Sequence, residues 1–139
     1  SANSHAGAKG LMQLMPYTAK IVSKQAKLPY SKSKLTTNPE YNINLGSYYM
    51  AGLILNYDGS YPFSIAAYNA GPKRVKYWNK INKNPQKKQI NYVDWIELIK
   101  FEETRNYVQR VLENYNVYRY ILEKKPITMK NFFKDDPLY

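Results

Sequence analysis

The stretch Ala66-Ala67-Tyr68-Asn69-Ala70-Gly71-Pro72-Lys73-Arg74-Val75 predicts the end of one helix, a tight turn and the start of the next helix. Gly71 suits the left-handed position just past a helix C-terminus, and Pro72 suits the first position of the helix that follows. Tyr68 and Asn69 then lie in the last helical turn, at a corner where their side chains are able to face a groove. The alternative is a packed helix-turn-helix corner with no binding role, and this stretch alone does not separate the two.

Further helix signals lie on both sides of this corner. Asn38 suits a helix N-cap and is followed by a proline, and that helix should run until the turn at Asp58-Gly59. A shorter helix should begin at Pro62 and end at Tyr68-Asn69. The helix that begins at Pro72 carries apolar residues at helical spacing, namely Val75, Trp78 and Ile81.

The last long helix is predicted from about Glu102 to Leu122. Its stripe recurs every three to four positions, which is typical of one buried face, and consists of Thr104, Tyr107, Val108, Val111, Tyr115, Tyr118 and Leu122. Lys124-Lys125-Pro126 should end this helix. No strand-like alternation persists along the chain, so the sequence predicts an all-α fold.

The charge balance of the 139 residues favours a polyanionic partner. Lys and Arg number 21 against 10 Asp and Glu, which gives a net charge of +11. Nucleic acid meets this requirement, and so does peptidoglycan with its lactyl and peptide carboxylates. The densest basic segment is rich in Asn, Pro and Gln, so we interpret its lysines as those of a solvated loop: Lys80, Lys83, Lys87 and Lys88.

No cofactor or metal site is expected. His5 is the only histidine, cysteine is absent, and the carboxylates lack the helical spacing of metal ligands. A glycine-rich phosphate loop is also missing. No apolar run approaches membrane-spanning length, so contact with a membrane surface is expected only through parts outside this sequence.

Four sequence blocks follow one another along the chain. They are Gly7-Ala8-Lys9-Gly10-Leu11-Met12-Gln13-Leu14-Met15-Pro16 followed by Thr18-Ala19, Asn38-Pro39-Glu40 with Asn42-Ile43 and Leu45-Gly46, Tyr68-Asn69-Ala70-Gly71-Pro72, and Glu97 with Phe101, Glu103-Thr104-Arg105 and Tyr107-Val108. From about Ser4 to Leu122 the chain thereby resembles the catalytic domain of the soluble (SLT-type) lytic transglycosylases, relatives of goose-type lysozyme. The resemblance implies a lysozyme-like helical domain with a saccharide-binding groove over residues 1–122, and a C-terminal extension over residues 123–139.

The resemblance also implies a particular way of cleaving a β-1,4 glycosidic bond. Enzymes of this family use one Glu first as acid and then as base, and the muramoyl 6-hydroxyl replaces water, which yields a 1,6-anhydro product. Such a Glu needs a raised pKa in a partly dry groove.

The family places this Glu in a Glu-Ser motif before a Ser-x-x-Gly-Ala block, which here begins at Ser4. No catalytic residue is therefore identified in this sequence. We expect the general acid upstream of Ser1, and the alternative is a protein that never had it.

Three substrate-binding positions are implied near the N-terminus. Ser4 matches a serine that hydrogen-bonds near the acid and the substrate acetamido group, with a cap or turn serine as the structural alternative. Gln13 matches a glutamine that faces the cleft, and the alternative is an ordinary surface residue. Met15 matches a methionine that packs on sugar, although a methionine there also suits the core.

Four further substrate-binding positions are implied later in the chain. Tyr68 matches the tyrosine beside the catalytic carboxyl, and Asn69 stands next to it. Glu97 matches an acidic residue that contacts substrate without protonating it, and the alternative is a structural ion pair with Arg105 or Lys100. Tyr107 is expected either in the cleft or in the core.

The resemblance therefore predicts a peptidoglycan lytic transglycosylase domain, located in the periplasm or cell envelope, that cleaves the MurNAc-β-1,4-GlcNAc bond. A non-catalytic module that binds peptidoglycan or chitooligosaccharide is the first alternative. A basic nucleic-acid-binding helical domain is the weaker alternative. Charge alone supports it, because no recognition helix with clustered base-reading side chains is evident, and no nucleic-acid partner is predicted.

Overall fold

Helices form the regular secondary structure of residues 2–124 and Phe133, the part of the chain that the computed structural model describes. They run in the order α1 (Pro16–Gln25), α2 (Lys34–Thr37), α3 (Pro39–Asn56), α4 (Tyr61–Ala70), α5 (Pro72–Ile81), a 3₁₀ turn (Pro85–Lys87), α6 (Tyr92–Glu97) and α7 (Glu102–Glu123). Within the same residues, extended pairing is limited to isolated bridges of Asn3 with Lys9 and of Lys9 with Leu14. The prediction of an all-α fold is confirmed.

The chain divides into two compact units, Ser1–Gly52 and Leu53–Tyr139, and the division falls within α3. Between residues 2 and 124, no helix combines the length and the apolar character needed to cross a membrane. The predicted C-terminal extension, 123–139, lies outside the described residues from position 125 onward, apart from Phe133. That ring is buried and stacks on Tyr92 with 5.7 Å between centroids. The boundary at residues 122 and 123 stays a prediction.

The first unit is organised around the side chain of Asn42, which is fully buried in α3. Its Nδ2 donates to the carbonyl oxygens of Lys9 and Leu35, at 3.0 and 3.1 Å. Its Oδ1 accepts a hydrogen bond from the Met12 N–H at 2.7 Å. One amide thus ties the N-terminal loop and α2 to α3, and its polar atoms are all hydrogen-bonded.

An aromatic cluster forms the core of the second unit, in which α4 packs on α5 and α7, and α6 packs on α7. Phe63 lies 5.4 Å from Tyr92 and 4.7 Å from Trp95, measured between ring centroids, in edge-to-face geometry. Trp78 extends the cluster, with 6.5 Å to Trp95 and 5.5 Å to Phe101. Because these large rings bury much apolar surface, they fix α4 and therefore the corner at its C-terminal end.

The predicted corner between α4 and α5 is confirmed in position. Helix α4 ends at Ala70, Pro72 is the first residue of α5, and Gly71 between them has φ +89° and ψ +151°. The positive φ explains the glycine, but the ψ value places it in an extended conformation instead of the predicted left-handed helical one. Another predicted cap is also confirmed, since Asn38 Oδ1 accepts a hydrogen bond from the Tyr41 N–H at 3.0 Å.

Part of the buried face predicted for the last long helix is wrong. Tyr118 and Leu122 are 62% and 78% exposed near the end of α7. The buried residues of α7 are confined to its first half, at Thr104, Val108 and Leu112. The spacing of apolar residues shows which of them share a face, and it does not show how far along the helix another element covers that face.

Candidate functional site

The N-terminal loop, residues 2–15, carries three of the predicted substrate-binding residues. The Ser4 Oγ accepts a hydrogen bond from the Ala8 N–H at 2.9 Å, so this serine closes a turn. The exposed Gln13 has φ +49°, and its Nε2 donates to the Gly10 carbonyl oxygen at 2.8 Å. Met15 is 43% exposed and precedes the first residue of α1, so it is not a core residue.

Close packing against α2 and α3 holds this loop in place. Gly10 has φ +74°, and a Cβ added to it would meet the Leu35 carbonyl oxygen at 2.1 Å and the Asn42 Nδ2 at 2.3 Å. Met12 packs on Gly46 of α3, where an added Cβ would meet the Met12 Cβ at 2.6 Å. Because the residues on both sides of Leu11 are held in this way, the position of Gln13 is fixed by the fold of the loop.

The corner after α4 carries Tyr68 and Asn69, both in the last turn of that helix as predicted. The Asn69 Oδ1 accepts a hydrogen bond from the Thr104 Oγ1 at 2.7 Å, and Thr104 is buried in the first turn of α7. Asn69 itself is exposed and Tyr68 is half-buried. Since the amide oxygen of Asn69 is engaged, the group of this side chain that suits a ligand is its NH₂, which donates hydrogen bonds.

Glu97 closes α6 and is exposed. Its Oε1 accepts a hydrogen bond at 2.6 Å from the Nε2 of Gln109 in α7. The alternative of an ion pair with Arg105 or Lys100 is wrong, because neither side chain pairs with Glu97 within the described residues, and the Arg105 Nη1 donates to the Ile99 carbonyl oxygen at 3.2 Å. Among residues 2–124, the observed ion pair joins Arg119 to Glu123. The charge of Glu97 therefore stays available at the surface.

Tyr107 is half-buried in α7. Burial raises the pKa of the Tyr107 hydroxyl above its ordinary value of 10.0, so the phenol stays neutral near pH 7. A neutral phenol donates and accepts hydrogen bonds and carries no charge to a ligand. This intermediate burial is compatible with both expectations for Tyr107, the cleft and the core.

The predicted substrate-binding residues are shared between the two units. Ser4, Gln13 and Met15 belong to the first unit, and Tyr68, Asn69, Glu97 and Tyr107 belong to the second. Within the second unit, hydrogen bonds tie both Asn69 and Glu97 to α7. The groove that would bring both groups of residues together stays a prediction.

Three supporting residues were missed by sequence reasoning: Asn42, Thr104 and Gln109. Asn42 and Thr104 fall within the blocks quoted above, and Thr104 is the one polar member of an otherwise apolar or aromatic stripe. A polar residue on a predicted buried face signals a hydrogen-bond partner, and that signal was available. Gln109 carries no comparable signal, because its partner Glu97 lies on another helix.

Comparisons with known proteins identify the family. Residues 1–91 match the family described as "Transglycosylase SLT domain". The chain belongs to the SLT transglycosylase family. The soluble lytic murein transglycosylase of Escherichia coli strain K12 is 41% identical over 127 residues, which cover 91% of this chain and 19% of that protein. Five of the seven predicted residues fall inside the matched segment, and Glu97 and Tyr107 lie beyond it.

Solved structures support the same SLT assignment. The 70-kDa soluble lytic transglycosylase of Escherichia coli is similar with a TM-score of 0.83 and 38% identity, covering 94% of this chain and 21% of that one. A complex of the 70-kDa soluble lytic transglycosylase with bulgecin A gives a TM-score of 0.84 at 37% identity, with the same coverage of 94% and 21%. These similarities confirm the predicted lysozyme-like helical fold. The chain spans about a fifth of the length of these relatives.

Proposed function

We propose that this chain is a peptidoglycan lytic transglycosylase domain, which cleaves the MurNAc-β-1,4-GlcNAc bond and leaves a 1,6-anhydroMurNAc end. The observation that carries the proposal is the match of residues 1–91 to the transglycosylase SLT domain. The 41% identity to the Escherichia coli soluble lytic murein transglycosylase supports it, because murein is another name for peptidoglycan.

The chemistry needs a proton at the leaving oxygen while positive charge builds on the sugar. In the proposed mechanism one carboxyl group supplies this proton and then removes the proton from the muramoyl 6-hydroxyl, whose oxygen attacks the sugar carbon. We place that glutamate upstream of Ser1 and assign no general acid within the chain. The role of the residues described above is to bind the sugar and orient it.

We assign substrate binding to Ser4, Gln13, Met15, Tyr68, Asn69, Glu97 and Tyr107. Three of the exposed members of this set have a fixed hydrogen-bond partner: Gln13 at the Gly10 carbonyl, Asn69 at Thr104 and Glu97 at Gln109. A side chain that is held before the ligand arrives loses little conformational entropy on binding. The same three side chains are exposed, so they are accessible to a saccharide.

The proposed partner is a peptidoglycan glycan strand, and the proposed location is the periplasm or another part of the cell envelope. The net charge of +11 supports this partner because peptidoglycan carries lactyl and peptide carboxylates. We also propose that residues 1–122 form the catalytic domain and that residues 123–139 form an extension.

A chimera tests the proposal. This chain would replace the matching 127 residues of the Escherichia coli soluble lytic murein transglycosylase, and the products from purified peptidoglycan would be analysed by mass spectrometry. We expect 1,6-anhydromuropeptides. Ordinary reducing ends would assign the chain to the hydrolases, and glycan binding without cleavage would assign it to the non-catalytic binding modules. The parent enzyme serves as the positive control.

A further inference from the structure

Side chains from outside α6 hold the backbone that follows Glu97, the last residue of that helix. The Asn82 Nδ2 donates to the Leu98 carbonyl oxygen at 2.8 Å, and the Arg105 Nη1 donates to the Ile99 carbonyl oxygen at 3.2 Å. Carbonyl groups at a helix C-terminus lack partners within the helix, so outside donors are needed there. These two donors fix the chain at the point where the Glu97 side chain begins.

The Glu97 carboxylate has a separate donor, the side chain of Gln109. The Gln109 Nε2 lies 2.6 Å from the Glu97 Oε1, and hydrogen bonds to an ionised acceptor are shorter and stronger than those between neutral groups. Gln109 is half-buried on α7 and follows Val108, which is fully buried in the core. The donor therefore stands on a well-packed part of α7, and it orients a carboxylate that is otherwise exposed.

A helix C-terminus is an unfavourable place for a carboxylate. It carries a partial negative charge, and no basic residue stands in the last turn of α6 to offset the charge of Glu97. Natural proteins break such local rules mainly at functional sites. The position of Glu97 therefore favours a role in binding over a role in stability.

The donor to this carboxylate is neutral, although the protein contains 21 Lys and Arg. Within residues 2–124, no cation is ion-paired with Glu97, and Arg105 donates to the Ile99 carbonyl instead. A neutral amide orients a carboxylate without cancelling its charge, whereas a paired cation would cancel it. Glu97 thus keeps its charge, and its second oxygen, Oε2, makes no hydrogen bond to any of these described residues.

We propose that Gln109 is a positioning residue for saccharide binding. It holds Glu97 so that the Oε2 accepts a hydrogen bond from an O–H or N–H group of the sugar, and it leaves the charge of that acceptor intact. Because a carboxylate only accepts hydrogen bonds, the ligand must supply the proton. This inference rests on the proposed function, under which Glu97 contacts the substrate.

Two physical effects make the affinity depend on Gln109. A glutamate side chain that is already oriented loses less conformational entropy when the sugar binds. A carboxylate that keeps its charge also accepts a stronger hydrogen bond than a neutralised one. Both effects act through Glu97, so they should disappear when the Glu97 carboxylate is removed.

The first test removes the donor. A chitooligosaccharide is titrated into the full 139-residue chain, and binding is followed by NMR. Gln109→Leu should bind about three- to tenfold more weakly than the wild type. The matched control Asn116→Leu removes an amide from an exposed position of the same helix and should bind within about twofold of the wild type.

A double-mutant cycle tests whether Gln109 acts through Glu97. Glu97→Ala should weaken binding at least as much as Gln109→Leu does, and adding Gln109→Leu to Glu97→Ala should cause little further loss. Glu113→Ala removes the same charge from an exposed position of α7 and should leave the affinity unchanged. Additive losses in the cycle would overturn the positioning role.

A third variant separates orientation from charge. Gln109→Lys replaces the neutral donor by a cation that is able to pair with Glu97, and Asn116→Lys adds the same charge elsewhere on α7 as its control. We expect Gln109→Lys to bind more weakly than Asn116→Lys, because Glu97 is then neutralised although it is still held. Wild-type affinity in Gln109→Lys would overturn the requirement for a neutral donor.

The side-chain amide of Gln109 gives a direct spectroscopic signal. Its NMR resonances should shift in Glu97→Ala, and in the wild type they should shift again when the chitooligosaccharide binds. A purely structural role predicts a different result. Gln109→Leu would then lower the unfolding free energy, measured in urea, while the affinity and the effect of the ligand on stability stay unchanged.

The outcomes separate this inference from the proposed function. If the wild type binds neither the chitooligosaccharide nor peptidoglycan, the proposed function fails. If the wild type binds and Glu97→Ala binds equally well, the roles of Glu97 and Gln109 are both overturned, while the proposed function still stands or falls on the cleavage products. If Glu97→Ala weakens binding and Gln109→Leu does not, only the positioning role of Gln109 is wrong.

Discussion

Thr104 donates a 2.7 Å hydrogen bond to the Oδ1 of Asn69, and this bond ties the last turn of α4 to the first turn of α7. Its two ends differ in environment, because Thr104 is 2% exposed and Asn69 is exposed. The buried hydroxyl therefore orients a side chain that solvent and ligands are able to reach. The orientation of the Asn69 side chain therefore depends on Thr104, which does not need to contact the sugar.

The variant Thr104→Val tests this positioning. Valine keeps the shape of threonine and removes the hydroxyl, so the unfolding free energy should fall by about 0.5–1.5 kcal/mol. The loss should lie towards the lower end, since the exposed Asn69 oxygen recovers a water partner. Urea unfolding measures it, and Thr18→Val in α1 serves as the control, because the half-buried Thr18 hydroxyl makes no hydrogen bond within the described residues.

If Asn69 also binds saccharide, Thr104→Val should weaken that binding although valine never contacts the ligand. A double-mutant cycle with Asn69→Ala checks the coupling. The two changes should then be less than additive in saccharide affinity. Additive effects would show that Thr104 does not orient Asn69 for binding.

Gly10→Ala should be one of the most damaging single-atom additions in the first unit. The added Cβ would meet the Leu35 carbonyl oxygen at 2.1 Å and the Asn42 Nδ2 at 2.3 Å, neither of which is a flexible chain end. We expect a loss of at least about 3 kcal/mol in unfolding free energy, or a protein that does not fold.

The matched control for this prediction is Gly7→Ala. Gly7 has φ +90°, close to the +74° of Gly10, but an added Cβ there meets nothing within 4 Å. Only backbone strain is then introduced, at a cost of about 1–2 kcal/mol. Equal losses in the two variants, measured by thermal or urea unfolding, would show that the contact with Asn42 contributes nothing.

Ionisation of Tyr107 should lower the stability of the folded protein at alkaline pH. Because burial raises the pKa of Tyr107 above 10.0, the folded protein holds this proton more tightly than the unfolded chain does. The resulting stability is fully present below pH 10 and is lost as the pH rises towards the raised pKa. Tyr107→Phe cannot ionise, so its unfolding free energy should fall less steeply above pH 10 than that of the wild type.

Unfolding curves at several alkaline pH values check this prediction. Tyr118→Phe is the control, because it removes a phenol from an exposed position of the same helix. Tyr107 should also show a delayed phenolate absorbance in a spectrophotometric titration of the folded protein. If Tyr107→Phe and Tyr118→Phe change the pH dependence equally, burial of Tyr107 has no energetic consequence.

Local signals were sufficient to predict α3, α4, α5 and α7, and they failed where a second element decides the outcome. The effect of a proline or asparagine at a helix start depends only on the nearby backbone. The N-termini of α3, capped by Asn38, and of α5, which begins at Pro72, were therefore predictable. The exposure of Leu122 depends on how far another element covers α7, which periodicity does not contain. The hydrogen bond between Glu97 and Gln109 also joins two helices, and no local sequence pattern predicts it.

A pocket of about 570 Å³ beside α5, lined by Lys76, Lys80 and Lys87 among others, shows the same limit. A run of lysines among Asn, Pro and Gln is typical of a solvated loop, and the sequence offers no reason to join it to Lys76 of the preceding helix. The 3₁₀ turn and the bond from Gln86 to the Tyr57 carbonyl bring these residues around one pocket. Residue types were visible in the sequence, and their convergence was not.

Tyr68→Phe tests the assignment of the corner after α4 to substrate binding. The phenyl ring keeps its volume in the half-buried last turn of α4, so the fold should persist while one hydroxyl is lost. In the active chimera, a hydrogen bond worth about 0.5–1.5 kcal/mol corresponds to a loss of about two- to tenfold. If that bond strengthens as charge develops, the turnover number should fall more than saccharide affinity does.

Tyr77→Phe, at a 48% exposed position on α5, is the control and should change neither quantity. If Tyr68→Phe also leaves both unchanged, Tyr68 is a corner residue without a role in the reaction, and its assignment to the substrate-binding set would have to be withdrawn.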